Sequence, residues 1–456
     1  MEIAAPSALS NNTPALGWVL VAVALTTMLA PLNSTMIGVA LPRITGEFNA
    51  SLAESSWLII AYLIAMASLQ PVTGKLGDRF GYRRLLLGGL VYFALASLGA
   101  ATATSLQSLL FFRVQQAIAG AIALPNGMAL MRLVVPVEQR GSRFGLVGSA
   151  VVLAAAAGPP LGGLLTEWIG WRAIFYVNLL LIVPALFIGF RVLPVTKIRK
   201  NEHPFDLVGA VLLLCLLTGG AFLLMWKGER DLLWAGGICA LVSVCYFFLK
   251  REWHHPDPAL QPRLFRHRTF AAVNSAIALS NLAMYTTFLT IPLFLSERAG
   301  WDTATIGLVL ATLWAPTVVC APLGGYLADH WGRRWPVNIG LALLTLGLFT
   351  LTWIGPQVAL PVLIGGLVVA GIGLGLSQAG MQTAAVETVS QREAGVAAGL
   401  FSTSRYIGSI VGSSVLPTLY LTGGIDGFGR VMIMVVVASL LSVIASFGIQ
   451  QWPREK

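Results

Sequence analysis

The chain has 456 residues, 56% hydrophobic and only 11% charged, with a formal net charge of +10. A soluble domain carries about a quarter charged residues, so this composition cannot cover a water-facing surface and excludes a soluble enzyme. The pI near 9.8 does not mark a nucleic-acid binder, because the basic residues stand in short segments between apolar runs and act as an orientation signal there.

A spanning helix needs about 20 mostly apolar residues. Runs of that kind lie near 16–41, 53–74, 84–104, 106–131, 143–166, 172–193, 206–226, 232–249, 270–295, 303–327, 336–354, 358–382, 394–420 and 430–450. They predict an all-α integral membrane protein with fourteen transmembrane helices. The even number puts both termini on one side. With that side taken as cytoplasmic, only Arg43, Arg172, Lys227, Arg230, Arg298 and Arg430 of the 29 Lys and Arg fall in outer segments. Arg113 and Arg405 lie inside spans, and the rest are inner, which sets the orientation. The first run is too long for a cleaved signal and lacks a basic leader, so it is expected to stay as the first helix.

In chain order, the first span holds Leu32-Asn33-Ser34-Thr35-Met36-Ile37-Gly38-Val39-Ala40-Leu41-Pro42. Trp57 and Tyr62 stand in the second as a candidate aromatic wall. Between the second and third comes Gly74-Lys75-Leu76-Gly77-Asp78-Arg79-Phe80-Gly81-Tyr82-Arg83-Arg84, where the chain is expected to make a tight turn. The same pattern returns 251 positions later as Gly325-Tyr326-Leu327-Ala328-Asp329-His330-Trp331-Gly332-Arg333-Arg334-Trp335. A signature repeated in two hydrophobic halves points to a transporter built from two related helical bundles. The glycines permit unusual φ and close approach. Asp78 is expected to meet a helix N-terminus, with Arg132 as its charge partner.

The fourth span carries Arg113, Gln116 and Gly120 on one face, and the thirteenth carries Ser402, Arg405, Ser409 and Gly412 on one face. An Arg in a span centre costs at least ~2.5 kcal/mol, so each is expected to face a wet cavity or a partner. The fifth span contains Gly145, Gly158, Pro159, Gly162 and Gly163, small residues that let helices pack closely. Trp171-Arg172-Ala173-Ile174-Phe175-Tyr176-Val177-Asn178 opens the sixth. All 19 Asp and Glu fall in expected loops or span ends, with Glu167 and Glu387 nearest the membrane. Cys215, Cys239, Cys245 and Cys320 are expected to pack among apolar residues without disulfide or metal. No metal site or cofactor is expected.

These residues resemble the major facilitator superfamily along the whole chain. Gly74-x-x-x-Asp78-Arg79-x-Gly81-x-Arg83-Arg84 is similar to its loop 2–3 motif, with Asp329 and Arg333 in the second copy. Arg113-x-x-Gln116 is similar to its R-x-x-Q-G motif, with Ala117 replacing Gly. The fifth span resembles the antiporter motif of drug exporters, with Ala154 where that pattern has Gly. The motifs at Leu32–Pro42 and Trp171–Asn178 point the same way, to the fourteen-helix branch of the drug:proton antiporters. That branch carries Asp where this chain has Asn33, so the role of that carboxylate does not carry over.

The resemblance implies two six-helix bundles of major facilitator type plus two inserted central helices. The expected units are an N-tail at 1–15, a bundle at 16–193, the inserted pair with basic flanks at 194–268, a bundle at 269–450 and a C-tail at 451–456. It implies proton-coupled efflux of amphipathic drug-like compounds by alternating access, in a multidrug-resistance role, from a monomer in the cell inner membrane with both tails cytoplasmic. Its partners would be a small amphipathic substrate, membrane lipid and protons, with no nucleic acid. The cavity of that fold is lined mainly by the first and fourth helices of each half. Candidate liners are Asn33, Tyr62, Arg113, Gln116, Asn281, Tyr285, Gln378, Gln382 and Arg405. Gly74, Asp78, Arg79, Gly81, Arg83, Arg132, Asp329 and Arg333 would form the conformational switch. The two arginines without buried acids raise an alternative, export of anionic metabolites or lipids. A non-transporting membrane sensor or scaffold is a further alternative.

Overall fold

The computed structural model describes residues 13–136, 139–195, 206–226, 232–255, 258, 260–354, 359–389, 393–421 and 423–450, without the side chains at 13–15, 71, 75, 78, 140–142, 299, 394 and 395. Within these residues the chain forms fourteen long α-helices. They are α1 (Thr13–Glu47), α2 (Leu52–Phe80), α3 (Tyr82–Ala101), α4 (Leu106–Val134), α5 (Arg140–Trp168), α6 (Ala173–Val192), α7 (Leu207–Leu224), α8 (Leu232–His254), α9 (Arg268–Phe294), α10 (Thr303–Trp331), α11 (Arg334–Thr350), α12 (Leu360–Glu387), α13 (Ala394–Leu419) and α14 (Gly424–Ser446). Among the described residues, thirteen helices are long and apolar enough to cross a membrane, where only a helix or a closed barrel satisfies every backbone group internally. The protein is an all-α, multi-pass membrane protein. We call the end bearing α1's first residue and α14's last the tail end, and the other the far end.

The 251-residue offset extends from the signature to whole helices. Leu52 and Thr303 open α2 and α10, Phe80 and Trp331 close them, and Trp168 and Leu419 close α5 and α13. Packing repeats as well. In the first bundle α1 packs on α5 and α6, and α4 on α2 and α3; in the second, α9 packs on α13 and α14, and α12 on α10 and α11. The bundles join through α5 against α10 and α2 against α13, and α7 lies on α2 and α13 with α8 behind it.

Three local expectations are corrected. The signature is helix almost to its end: α2 runs to Phe80, and the turn is Gly81 alone at φ 90°, matched by Gly332 at φ 82°. These are conformations L side chains avoid, so each glycine stops one helix and starts the next within a residue or two. α1 also continues through Pro42 to Glu47 where the apolar run stops at 41, since proline is tolerated in membrane helices whose neighbours re-satisfy the backbone. The cysteines differ too: Cys215 and Cys239 are exposed on the inserted pair, not packed inside it.

Asp206 and Glu252, expected in loops or at span ends, are both buried. Asp206 caps α7, accepting from Gly209 N at 2.8 Å, and accepts from Arg251 Nε at 2.6 Å. Glu252 Oε2 accepts from Leu260 N at 2.7 Å. Together they tie the tail-end termini of α7 and α8. Losing a cap costs about 0.5–2 kcal/mol, whereas Asn caps as well as Asp. Asp206→Ala should therefore speed tryptic cleavage in the α6–α7 segment several-fold, and Asp206→Asn should do so much less. Equal protection in both variants would show that the cap does not hold the pair.

Candidate functional site

Ser105 caps α4, its Oγ accepting from Ser108 N at 3.2 Å. About two turns later α4 presents Arg113 and Gln116, which share a face by their spacing. Arg113 is 0% exposed, so it does not reach out to the membrane surface. Its Nη1 donates to Asn33 Oδ1 and, at 3.1 Å, to Gln116 Oε1; its Nε donates to Leu58 O at 3.2 Å. The guanidinium carbon lies 4.3 Å from the Tyr62 ring centroid, a cation–π contact. Gln116 Nε2 donates to Ser97 Oγ at 2.8 Å, and Asn178 Nδ2 to the same oxygen at 3.4 Å. The network thus ties α4 to α1, α2, α3 and α6.

The second bundle does not repeat these side chains. At the 251-shifted positions of Asn33, Tyr62, Ser97, Arg113, Gln116 and Asn178 stand Met284, Leu313, Leu348, Ile364, Leu367 and Gly429. One bundle carries a buried charge and its hydrogen bonds; the other is apolar at the same places.

Between the bundles, Ser34 Oγ and Tyr285 OH hydrogen-bond at 2.6 Å. They are 251 residues apart, so repeat-equivalent positions meet on the pseudo-two-fold axis. From Tyr285 a ladder of rings leads to Phe288 at 5.9 Å and on to Trp314 at 6.4 Å. Gly38 makes room for Phe288, whose ring a side chain at 38 would overlap. Gln70 Nε2 donates to Tyr406 OH at 3.3 Å across the α2–α13 contact, and the half-buried Arg405 lies 5.3 Å from the Tyr406 ring. Sequence reasoning missed Ser34, Gln70, Trp314 and Tyr406. The 251 offset from Tyr285 could have found Ser34.

The remaining candidates are not brought to this group. Asn281 is buried but donates within its own helix, to Ile277 O at 3.1 Å. On α12, Gln378 is half-buried and Gln382 exposed. Trp57 lines a cavity of about 370 Å³ with Glu54, Phe222 and Trp226, between α2 and α7 at the far end.

The two signature copies end differently at the tail end. Gly74 packs 3.5 Å from Pro125, measured from where its Cβ would be, and Arg83 donates to Phe190 O at 2.6 Å. Arg79 lies 5.8 Å from the Phe80 ring. The Asp78 side chain is outside the described residues, and with it the expected meeting with Arg132. In the second copy Arg333 binds Asp329 at 2.5 Å and grips Glu387 with Nε at 3.0 Å and Nη2 at 2.6 Å. Glu387, and then Asp329, hold the guanidinium charged, above its ordinary range.

At the far end the bundles are locked together. Arg43 Nη2 holds both oxygens of Glu167, at 2.9 and 3.1 Å, and Glu167 Oε2 accepts from Thr303 N at 3.0 Å. Thr303 opens α10 in the other bundle, so a carboxylate of one bundle sits on a helix N-terminus of the other, where negative charge is favoured. The antiporter-motif glycines Gly158, Gly162 and Gly163 run back from this lock along α5. Gly158 faces Thr35 of α1; a Cβ at Gly162 would lie 2.8 Å from the Met36 backbone, and one at Gly163 2.5 Å from Thr303 O. Gly145, expected to serve close packing, does not: a side chain there or at Gly148, nearer the tail end, would meet open space.

The family model for the Major Facilitator Superfamily matches residues 23–413. The chain is 33% identical over 436 residues to the uncharacterized MFS-type transporter YvkA of Bacillus subtilis, covering 95% of this chain and 96% of that protein. It is 30% identical over 421 residues to the tetracenomycin C resistance and export protein of Streptomyces glaucescens, covering 90% and 78%. It is 28% identical over 403 residues to the multidrug resistance protein B homolog of Mycobacterium tuberculosis, covering 87% and 74%. Helix repeat and sequence match agree: the chain belongs to the Major Facilitator Superfamily and is a transport protein, not an enzyme.

Proposed function

We propose that the protein exports amphipathic, drug-like compounds by alternating access about the α1–α9 seam, as a monomer in the cell inner membrane with its tails in the cytoplasm. The observation that carries this reading is the Ser34–Tyr285 bond on the pseudo-two-fold axis. It lies between the Arg113 network on one side and aromatic rings on the other, so a ligand there meets both polar and apolar walls. Most membrane-protein ligand sites of this kind sit at the repeat interface near the midplane. The names of two relatives, one for tetracenomycin C export and one for multidrug resistance, support efflux. The lock at the far end and the open space beside Gly145 and Gly148 nearer the tail end support a resting state that loads from the tail side.

Protons are the proposed coupling ion, and Glu167 the proposed carrier. Protonation would weaken its hold on both Arg43 and Thr303, and so open the far end only when a proton has arrived. Coupling requires such a difference between the two facing states.

The test is efflux from proteoliposomes loaded with ethidium, rhodamine 6G or carboxyfluorescein, with and without a pH gradient. At least one dye should be moved faster by an imposed gradient. Tyr285→Phe, which removes one hydrogen bond worth about 0.5–1.5 kcal/mol, should slow that dye about threefold to tenfold. Glu167→Gln should move it without regard to the gradient. Wild-type transport that ignores the gradient would remove proton coupling, and transport of none of the dyes would remove the efflux reading.

A further inference from the structure

Arg113 is fully buried and uses only part of its donor set. Nε and Nη1 are engaged by Leu58 O, Asn33 and Gln116, but Nη2 is buried and makes no hydrogen bond. Its side-chain partners are neutral: two amides and a phenol ring. Among the described residues no carboxylate pairs with it. A guanidinium stays charged in a protein, so the first bundle holds one net positive charge in a low-dielectric interior. Such a charge is costly unless paired. The guanidinium lies near the seam: its partner Asn33 is followed in α1 by Ser34, on which the Tyr285 hydroxyl of the second bundle closes. Further along the ring ladder, Trp314 Nε1 is a second buried donor with no acceptor. The seam therefore offers spare donors and a positive charge.

We propose that Arg113 Nη2 is the anchor of a monoanion-binding site that is uncovered when the seam parts. The ligand class is a small anionic group, either the carboxylate or sulfonate of a transported amphiphile or a co-bound inorganic monoanion. This deepens the exporter reading by naming the charge that its site selects, and it rests on that reading only for the identity of the seam as the transport route. The anion binds end-on to Nη2 while Asn33 and Gln116 keep Nη1 in place, so the planar fork is already oriented before the ligand arrives. Arg113 offers a fixed direction as well as a charge. A cationic ligand at the same place would add like charge to a buried charge. Asn33 is the natural control position, because an Asp there would place a carboxylate on Nη1 and neutralise the guanidinium from within.

The experiment is the thermal unfolding of the purified full-length protein, read by intrinsic fluorescence in a dilute zwitterionic buffer, with Arg113→Gln in each salt as the control for ionic strength. The probes are sodium chloride, sodium benzoate and the neutral isostere benzamide. A ligand that binds only the folded state raises Tm in proportion to its occupancy. Wild type should gain several degrees with chloride or benzoate and none with benzamide. A response to chloride assigns the site to an inorganic co-ion; a response to benzoate alone assigns it to the acid group of an amphiphile. Arg113→Gln should weaken the response at least tenfold in apparent Kd. Asn33→Asp should melt above wild type without added anion and show no anion response. If neither anion shifts wild-type Tm, or if Asn33→Asp keeps the full shift, the proposal is overturned. This readout needs no transport, so dye efflux without an anion response would remove this site alone, and an anion response without dye efflux would leave it standing while removing the drug-export reading.

Discussion

Gly163→Leu is expected to cut transport at least tenfold and to leave the far ends of the bundles apart. A Cβ at Gly163 would lie 2.5 Å from Thr303 O and 3.1 Å from the Gly307 Cα, and one at Gly307 would lie 2.5 Å from Pro159 O. Two helix backbones touch there with no side chain between them. Nothing at the contact is a flexible side-chain tip that could move aside. Overpacking of this kind costs about 1–3 kcal/mol. It is charged against the far-closed arrangement only, because the contact breaks when the bundles part. A differential of about 1–3 kcal/mol moves an equilibrium roughly 5–150-fold. Gly163→Ala adds one methyl group and should give a smaller shift in the same direction. Normal turnover in Gly163→Leu would mean that α5 and α10 need not close for transport.

Arg113→Ala is expected to lower transport by about a hundredfold, which corresponds to about 2.7 kcal/mol at 1.36 kcal/mol per tenfold. The side chain joins three helices through Leu58 O, Asn33 and Gln116. Without it their three oxygens lose a common donor, and Tyr62 loses its cation. Arg113→Lys should recover less than about a tenth of the activity, since an ammonium is a point charge that cannot reproduce the planar fork. Gln116→Leu should be milder, about tenfold, because it removes one arm and the link to Ser97. Expression and size-exclusion profiles separate these losses from failure to fold. Wild-type transport by Arg113→Lys would show that charge matters at this place and geometry does not.

Helix number, the two-bundle repeat and the family were legible because they rest on period and length. A span must be long and apolar whatever its partners, and a signature at a fixed offset survives any packing. The 251 offset even carried the helix ends, because membrane thickness sets both halves alike. The site was legible only in part. Arg113, Gln116 and Asn33 stood out as polar groups in apolar runs, and they do meet. That Asn33 accepts from Arg113 was not legible, since α1 and α4 are far apart in the chain. Asn281 stood out for the same reason as Asn33, yet its amide turns back onto its own helix. Trp314 and Tyr406 were missed because an aromatic residue in a span reads as packing until the opposite bundle is in place. Asp206 and Glu252 were missed because charge near a loop reads as solvated. Their burial depends on the fold-back of α7 and α8, which no local pattern encodes.

Distance measurement between spin labels tests the alternating-access account most directly. One pair spans the far end, at the exposed positions Ile169 and Leu421; the other spans the tail end, at the exposed positions Leu133 and Trp331. In the resting protein the far pair should give one short, narrow distribution. In Gly163→Leu, and in wild type during turnover of an exported dye, the far pair should lengthen as the tail pair shortens. A far pair that stays fixed under both conditions, or two pairs that lengthen together, would contradict a seam that closes at one end as it opens at the other.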